Sequence, residues 1–234
     1  MAKQINKRAR VEFLSLLILM ISSTAIFWLT DLDFEIAAWF YQPDKSGQVW
    51  PYQYWWPFKL LYDYVFASCL AVGLAALTVY IAGYFYDFCR RLQRKALYIL
   101  LIILIGPLLM VNFVFKDHWG RPRPVHIQQF GGEYAYAPPL KLAHSPDKSF
   151  VCGHCSVAYL FFVFYFLSQK HKRFYFLLTI SLASFMGFSR MSAGGHFMSD
   201  VLWSGYLMFF VGYALYYGWF LSAKPDHAKP ENPS

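Results

Sequence analysis

Long apolar runs alternate along this chain with short polar segments that carry most of its charge. An apolar run of about 18 or more residues is long enough to cross the hydrocarbon core of a bilayer as a helix. The pattern predicts six membrane-spanning helices, over residues 11–30, 60–86, 96–115, 155–168, 174–188 and 201–221. The fourth is short and is expected to borrow a turn from the polar cluster before it. A short interfacial helix is predicted over residues 33–41, in a stretch rich in Trp and Tyr.

Composition supports a bilayer environment. Hydrophobic residues make up 58% of the 234 positions and charged residues only 15%, whereas soluble domains are roughly 45–50% apolar. We therefore predict an all-α polytopic membrane protein with one domain over residues 1–222, its core at 55–222, and a polar tail at 223–234. The first apolar run is interpreted as a retained helix, because it is long for a signal peptide and lacks a clear cleavage site.

Basic residues are concentrated in three short segments, at residues 1–10, 90–95 and 170–173. Short cytoplasmic segments are rich in Lys and Arg, so all three are predicted to be cytoplasmic. Six helices then place both termini in the cytoplasm and residues 31–59, 116–154 and 189–200 on the other, non-cytoplasmic face. This topology accounts for the formal charge of +8, and a nucleic-acid partner is not expected.

Three polar clusters interrupt the apolar pattern on that face, at residues 116–124, 149–154 and 189–200. Ionisable residues at membrane depth are costly and indicate function. Lys116, Arg123 and Arg190 together would need an anion, and phosphate suits both the arginine fork and the lysine point charge. Anchoring at helix ends would explain one or two of these cations, but not the histidines beside them.

The histidines suggest phosphoryl or proton transfer. His196 and Asp200 are four residues apart, so on a helix they would share a face, and a carboxylate on one ring nitrogen leaves the other free as a nucleophile. His154 could exchange a proton with a leaving oxygen. Gly153, at a helix start, would let an oxygen approach the backbone N–H groups. Taken singly, each feature is also explained by an ordinary helix start, with Ser199 or Asp200 as the N-cap.

In order and spacing, the clusters resemble the motifs of the type 2 phosphatidic acid phosphatase family: Lys116-x6-Arg123-Pro124, Gly153-His154 and Ser189-Arg190-x5-His196-x3-Asp200. The resemblance implies a helical bundle and a phosphatase that needs neither metal nor cofactor. It assigns phosphate binding to Lys116, Arg123, Cys152, Gly153 and Arg190. It makes His196 the nucleophile, Asp200 its orienting partner and His154 the general acid and base. Arg121 is a second candidate for the first arginine, but the family spacing selects Arg123.

The second motif and a long loop bear on the substrate. Cys152 stands where the family usually has serine, and a thiol is a weaker donor than a hydroxyl. With the loop at 125–148, this makes the chain resemble the bacterial lipid A phosphatases. The implied activity is hydrolysis of a lipid phosphate through a phosphohistidine at the periplasmic face, with lipid A phosphate as first choice. Undecaprenyl diphosphate, phosphatidylglycerol phosphate and transfer to a second lipid remain open, as does the oligomeric state.

Other classes of function compete for the same residues. Cys152-Gly153-His154-Cys155 resembles the redox motif of thiol oxidoreductases, but the βαβ context that this motif needs is not predicted. A regulatory disulfide between Cys152 and Cys155 is a further alternative. A zinc site from His118, Cys152, His154 and Cys155 would consume the proposed acid. A noncatalytic lipid-binding or channel-like protein with a degenerate site is the remaining alternative.

Overall fold

The computed structural model describes residues 2–43, 49–168 and 170–221, without the side chains of residues 2–6. This part of the chain is helical, as predicted. The main helices are α1 (Ala2–Leu29), α2 (Leu32–Ala38), α3 (Trp56–Ala82), α4 (Gln93–Ile103), α5 (Gly153–Leu167), α6 (Lys172–Ser192) and α7 (Met198–Leu215). The predicted interfacial helix corresponds to α2. The predicted polar tail at 223–234 lies outside the described residues.

Within the described residues, five helical segments are long and apolar enough to cross a membrane: Lys7–Leu29, Trp56–Ala82, Gln93–His126, Lys172–Ser192 and Met198–Phe220. The prediction of membrane-spanning helices is thus confirmed for five of the six. The fourth predicted span is helical, but at about 1.5 Å per residue α5 covers only roughly 22 Å. The hydrocarbon core of a bilayer is about 30 Å thick.

Helix α5 can be short because it lies inside the bundle. Most of its side chains are buried, including His154, Val157 and Phe166, while α3 buries only Phe58, Val65 and Ala76. A helix surrounded by protein does not have to match the thickness of the lipid. Its N-terminus can therefore start within the bundle, where the three polar clusters converge.

Helix α4 continues as a π-helix over Leu104–Lys116, which the apolar pattern did not reveal. Pro107 lies in this segment, where it cannot donate a backbone hydrogen bond. The Asn112 side chain donates to the Pro107 carbonyl oxygen at 2.7 Å. Local π-helix is often found at functional sites, and this one ends at Lys116, the first predicted phosphate ligand.

The opposite end of the bundle is held by a carboxylate on α1. Glu12 accepts hydrogen bonds from Arg8 at 2.8 Å and from the hydroxyls of Tyr165 and Tyr217 at 2.7 Å each. Lys172 lies 5.1 Å from the centre of the Tyr165 ring. Basic residues from the N-terminal segment and from the start of α6 therefore gather at one end, away from the three clusters.

Candidate active site

The three polar clusters meet at the N-terminus of α5. Lys116 ends the π-helical segment, and α5 begins at Gly153. Arg190 lies in the last turn of α6, and His196 lies in the turn between α6 and α7. The four-residue spacing had suggested that His196 and Asp200 share a helix. They do not, because α7 begins only at Met198.

Lys116 is held directly against the start of α5. A Cβ atom on Gly153 would lie 2.9 Å from Nζ of Lys116, so a larger residue at this position would require the ammonium group to shift. Lys116 interacts electrostatically with Arg123, Arg190 and Cys152. Three cations thus share one small volume at a helix N-terminus, where backbone N–H groups also favour an anion.

Two of these cations have donors that are not used. The buried Nε atoms of Arg123 and Arg190 have no hydrogen-bond partner among the described residues. Leaving a buried donor unsatisfied costs roughly 1–3 kcal/mol, more when it is charged. A phosphate oxygen is a suitable acceptor, since arginine binds phosphate with charge-assisted hydrogen bonds.

Arg190 is positioned by a glycine turn and an aromatic ring. A Cβ atom on Gly195 would collide with Nη2 of Arg190, and Gly194 has a φ of +63°, which favours glycine. The Arg190 guanidinium carbon lies 4.6 Å from the centre of the Tyr62 ring. Gly194 and Gly195 therefore let the chain fold tightly around this head group.

His196 is buried, and its tautomer follows from its neighbours. Nδ1 lies 2.8 Å from the Ser149 carbonyl oxygen. A carbonyl can only accept, so Nδ1 carries the hydrogen and Nε2 holds a free lone pair. Burial opposes a charge on this ring, but the Cys152 sulfur and the Asp200 carboxylate outweigh it and raise the pKa of His196 above its ordinary value.

Asp200 acts on His196 at slightly longer range. Its Oδ2 lies 3.6 Å from Nδ1 of His196, beyond a normal hydrogen bond. The carboxylate instead accepts from the Ser149 hydroxyl at 2.7 Å, from the Phe197 N–H at 2.9 Å and from Nη1 of Arg121 at 2.5 Å. Ser149 was not assigned a role from the sequence, yet its hydroxyl contacts Asp200 and its carbonyl contacts His196.

Arg121 is fully committed to the protein. It donates to Asp200, to the Ser199 hydroxyl at 2.8 Å, to the Ala137 carbonyl at 2.8 Å and to Asp33 at 2.8 Å. Because these bonds occupy the guanidinium, Arg121 is not placed to bind phosphate, which agrees with the choice of Arg123. Sequence analysis missed Asp33, a buried carboxylate on α2 whose only signal was its place in a short, largely apolar helix.

His154 is held by aromatic packing. Its ring stacks on Tyr62, with centres 4.4 Å apart and planes 15° apart, and meets the edge of Phe66 at 4.7 Å. Its Nδ1 is buried without a partner among the described residues. His154 interacts electrostatically with His196 and Lys116, so the second histidine lies in the same site as the first.

Cys152 and Cys155 are both buried, and both have free thiols. The Cys152 sulfur accepts a hydrogen bond from the Cys155 N–H at 3.3 Å, so Cys152 serves as the N-cap of α5.

His118 directs Nδ1 to the Phe113 carbonyl at 2.9 Å, back along its own helix. Within the described ranges no three His, Cys, Asp or Glu side chains are grouped to hold a metal ion.

Comparison with known proteins identifies the class. Residues 95–223 match the model of the PAP2 superfamily, which is more than half of the chain, so the chain belongs to that superfamily. It also resembles the crystal structure of a transmembrane PAP2-type phosphatidylglycerolphosphate phosphatase from Bacillus subtilis. That likeness has a TM-score of 0.54 and 24% identity, and covers 93% of this chain and 98% of the other. It shows the fold.

Among curated proteins, the chain is 43% identical over 141 residues to a lipid A 4'-phosphatase of Francisella tularensis subsp. novicida (strain U112). The match covers 57% of this chain and 64% of the relative. It is 37% identical over 103 residues to a lipid A 4'-phosphatase of Rhizobium leguminosarum, covering 43% of this chain and 44% of the relative. The matched part therefore spans less than two thirds of either relative.

Proposed function

We propose that this protein is a membrane phosphatase that removes a phosphate group from lipid A through a phosphohistidine on His196. The observation that carries the proposal is a pair of buried arginine Nε donors, on Arg123 and Arg190, without a partner among the described residues. They lie beside an imidazole whose Nδ1 faces the Ser149 carbonyl, which leaves Nε2 as the nucleophile. Membership of the PAP2 superfamily supports the reaction class. The names of the two curated relatives support lipid A as the substrate.

In the first step, Lys116, Arg123, Arg190 and the N–H groups at the start of α5 hold the phosphate oxygens. Nε2 of His196 attacks phosphorus, and the bond between phosphorus and the lipid oxygen breaks. His154 gives a proton to that oxygen, which leaves as the lipid alcohol. The cations stabilise the charge on the equatorial oxygens, the main contribution in phosphoryl transfer.

In the second step, water attacks the phosphorus of phosphohistidine. His154, now neutral, accepts a proton from that water, and the bond between phosphorus and Nε2 breaks. Inorganic phosphate leaves, and both histidines return to their starting states. Asp200 and the Ser149 carbonyl hold the His196 ring through both steps, because each lies on the Nδ1 side.

An apolar cavity beside the site supports a lipid as substrate. It has a volume of about 360 Å³ and is lined by residues of α3, α4, α5 and α6. Val65, Val157 and Met186 are among its lining residues, and Val157 is one helical turn beyond His154. A ligand with its phosphate at the cations could place an acyl chain here, out of water.

The membrane orientation is part of the proposal. Both termini face the cytoplasm, α5 serves as the sixth helix, and the site opens to the periplasmic side of a bacterial inner membrane. The support is the gathering of basic residues at the Glu12 end of the bundle, where a cytoplasmic location suits the excess of Lys and Arg.

The test is phosphate release by the purified full-length protein in detergent containing EDTA. The substrates are lipid A, undecaprenyl diphosphate, phosphatidylglycerol phosphate and phosphatidic acid. We expect fastest release from lipid A, and its loss in His196→Ala but not in His144→Ala, a histidine exposed on the long loop. Release from another lipid alone would reject lipid A, and full activity of His196→Ala would reject the mechanism. Product analysis with a second acceptor lipid separates hydrolysis from transfer.

A further inference from the structure

A buried ionic network joins α2 to the first turn of α7, next to His196. Asp33 and Asp200 both bind Arg121, at 2.8 and 2.5 Å, and the side chains of all three residues have no exposed surface. One guanidinium is thus shared by two carboxylates. Asp200 is the member that lies next to His196, so the network ends at the proposed nucleophile.

Asp33 also holds the start of α7 directly. Its Oδ1 accepts from the Ser199 N–H at 2.9 Å, and its Oδ2 accepts from the Ser199 hydroxyl and, at 3.3 Å, from the Tyr136 hydroxyl. The first N–H groups of a helix have no partner within the helix. A carboxylate there also interacts favourably with the helix dipole. Asp33 therefore caps the N-terminus of α7 from another helix. It does so at Ser199, the residue directly before Asp200.

The charge balance gives Asp33 an influence on His196. Two carboxylates against one guanidinium leave the network with one net negative charge beside the ring. Without the charge of Asp33, the guanidinium of Arg121 would be balanced by Asp200 alone, and the field of Asp200 at His196 would be largely cancelled. The ring also faces Cys152 and His154, and neither of these groups contacts Asp33.

We propose that Asp33 is a positioning residue for phosphoryl transfer, which acts through Arg121 and Ser199 to hold the Asp200 carboxylate, charged and correctly placed, beside His196. This inference rests on the proposed function only in taking His196 as the nucleophile. It does not depend on which lipid carries the phosphate. Asp33 contacts neither the phosphate ligands nor His196, so its effect should appear in turnover more than in substrate binding.

The main test compares Asp33→Asn with Glu35→Gln in the full-length protein, with lipid A as substrate. Glu35 is exposed on the same helix, so it controls for the loss of one negative charge on α2. We expect Asp33→Asn to lower kcat by roughly 10- to 100-fold with little change in KM, since a small misplacement of a reacting group can cost about 100-fold. Glu35→Gln should match the wild type. Equal kcat in all three proteins would overturn the proposal.

The pH profile separates positioning from general damage. Loss of the Asp33 charge should lower the pKa of His196, so the acid limb of kcat/KM should move to lower pH in Asp33→Asn. Ionisation of the substrate is common to both proteins and cannot produce a difference between them. Asp33→Glu, which keeps the charge, should restore the wild-type limb. A lower kcat with an unmoved acid limb would assign Asp33 a structural role only.

Two further measurements keep the inference testable if one variant or one substrate fails. If Asp33→Asn does not fold, Ser199→Ala removes the hydroxyl that links Asp33 and Arg121, and unchanged kcat there would overturn the proposal. Orthovanadate binding by calorimetry needs no lipid. We expect about tenfold weaker binding in Asp33→Asn than in Glu35→Gln, because vanadate resembles the transition state. Wild type that binds vanadate but leaves lipid A intact would reject the substrate, and equal vanadate affinity would reject the role of Asp33.

Discussion

Arg121 and Arg123 are two residues apart in one motif, yet they lie in opposite electrostatic surroundings. Arg121 donates to two carboxylates, a hydroxyl and a carbonyl. Arg123 has a buried Nε with no partner in the part of the chain that the structure describes. The first arginine is satisfied by the protein and the second needs an anion. The comparison separates a residue that builds this site from a residue that we propose to bind substrate.

The largest expected effects come from removing each arginine in turn. Arg123→Ala should lower kcat/KM by about 10²- to 10³-fold, as for other groups that stabilise transition-state charge, with an unchanged melting temperature. Arg121→Ala should lower the melting temperature as well as activity, because it leaves two buried carboxylates unpaired, a change that typically costs 3–5 kcal/mol. Thermal unfolding and lipid A phosphatase assays on both variants check this. Equal melting temperatures for the two variants would erase the distinction.

Gly153→Ala should disturb Lys116 and leave the ionic network of Asp33, Arg121 and Asp200 intact. The new methyl group would lie 2.9 Å from Nζ of Lys116 and should displace the ammonium group from the phosphate position. We expect kcat/KM to fall by roughly 10-fold or more, in line with losing one well-placed charged contact. Gly218→Ala is the matched control, since its Cβ would meet no atom within 4 Å. Wild-type kinetics in Gly153→Ala would contradict the assignment of Lys116.

Filling the apolar cavity should weaken binding of the lipid chain and leave binding of the phosphate group unchanged. Cys69 lines this cavity and is partly buried, so Cys69→Phe places a larger ring where an acyl chain would lie. We expect kcat/KM for lipid A to fall several-fold, with little change for a water-soluble phosphate monoester. Leu74→Phe, on the exposed surface of the same helix, is the control. An equal loss on both substrates would mean that the cavity does not select the lipid chain.

Cys152→Ser should give the smallest change and sharpen the role of the variant motif. A hydroxyl is a better donor than a thiol, and one hydrogen bond contributes about 1 kcal/mol, or roughly fivefold. We expect substrate affinity to rise by up to that amount, while Cys155→Ser stays near the wild-type level. A thiol-oxidation activity that is lost in Cys155→Ser would instead favour the thiol oxidoreductase alternative. Rates of phosphate release under reducing and oxidising conditions test the alternative of a regulatory disulfide between Cys152 and Cys155.

The apolar pattern predicted most of the helical architecture because lipid-facing helices must be long and apolar along their whole length. It predicted six spans, whereas five segments of the described ranges reach spanning length, because α5 is surrounded by protein and does not have to match the lipid. It also predicted a plain helix before Lys116, where the chain is π-helical. The π-helical segment contains Pro107. A proline in a sequence indicates that a helix is disturbed, but it does not show whether the result is a kink, a break or a π-helix.

Motif spacing singled out the charged groups and rings that meet at the start of α5, since each is unusual beside an apolar run. It did not identify Asp33 or Ser149, because their contacts join distant parts of the chain. Asp33 reaches Arg121 across 88 positions and Ser149 reaches Asp200 across 51. The spacing of His196 and Asp200 suggested a shared helical face, yet the ring lies before α7 and finds the Ser149 carbonyl instead. The sidedness of the membrane and the roles of the site residues stay predictions.

The central claim is that His196 carries the phosphoryl group. The most direct measurement is a quench of the full-length protein in alkaline detergent during turnover of lipid A labelled with ³²P, followed by mapping of the labelled peptide at alkaline pH by mass spectrometry. The account predicts an acid-labile, base-stable label on His196 that is absent from His196→Ala. A label on Cys152 or any other residue, or a label that persists in His196→Ala, would contradict it.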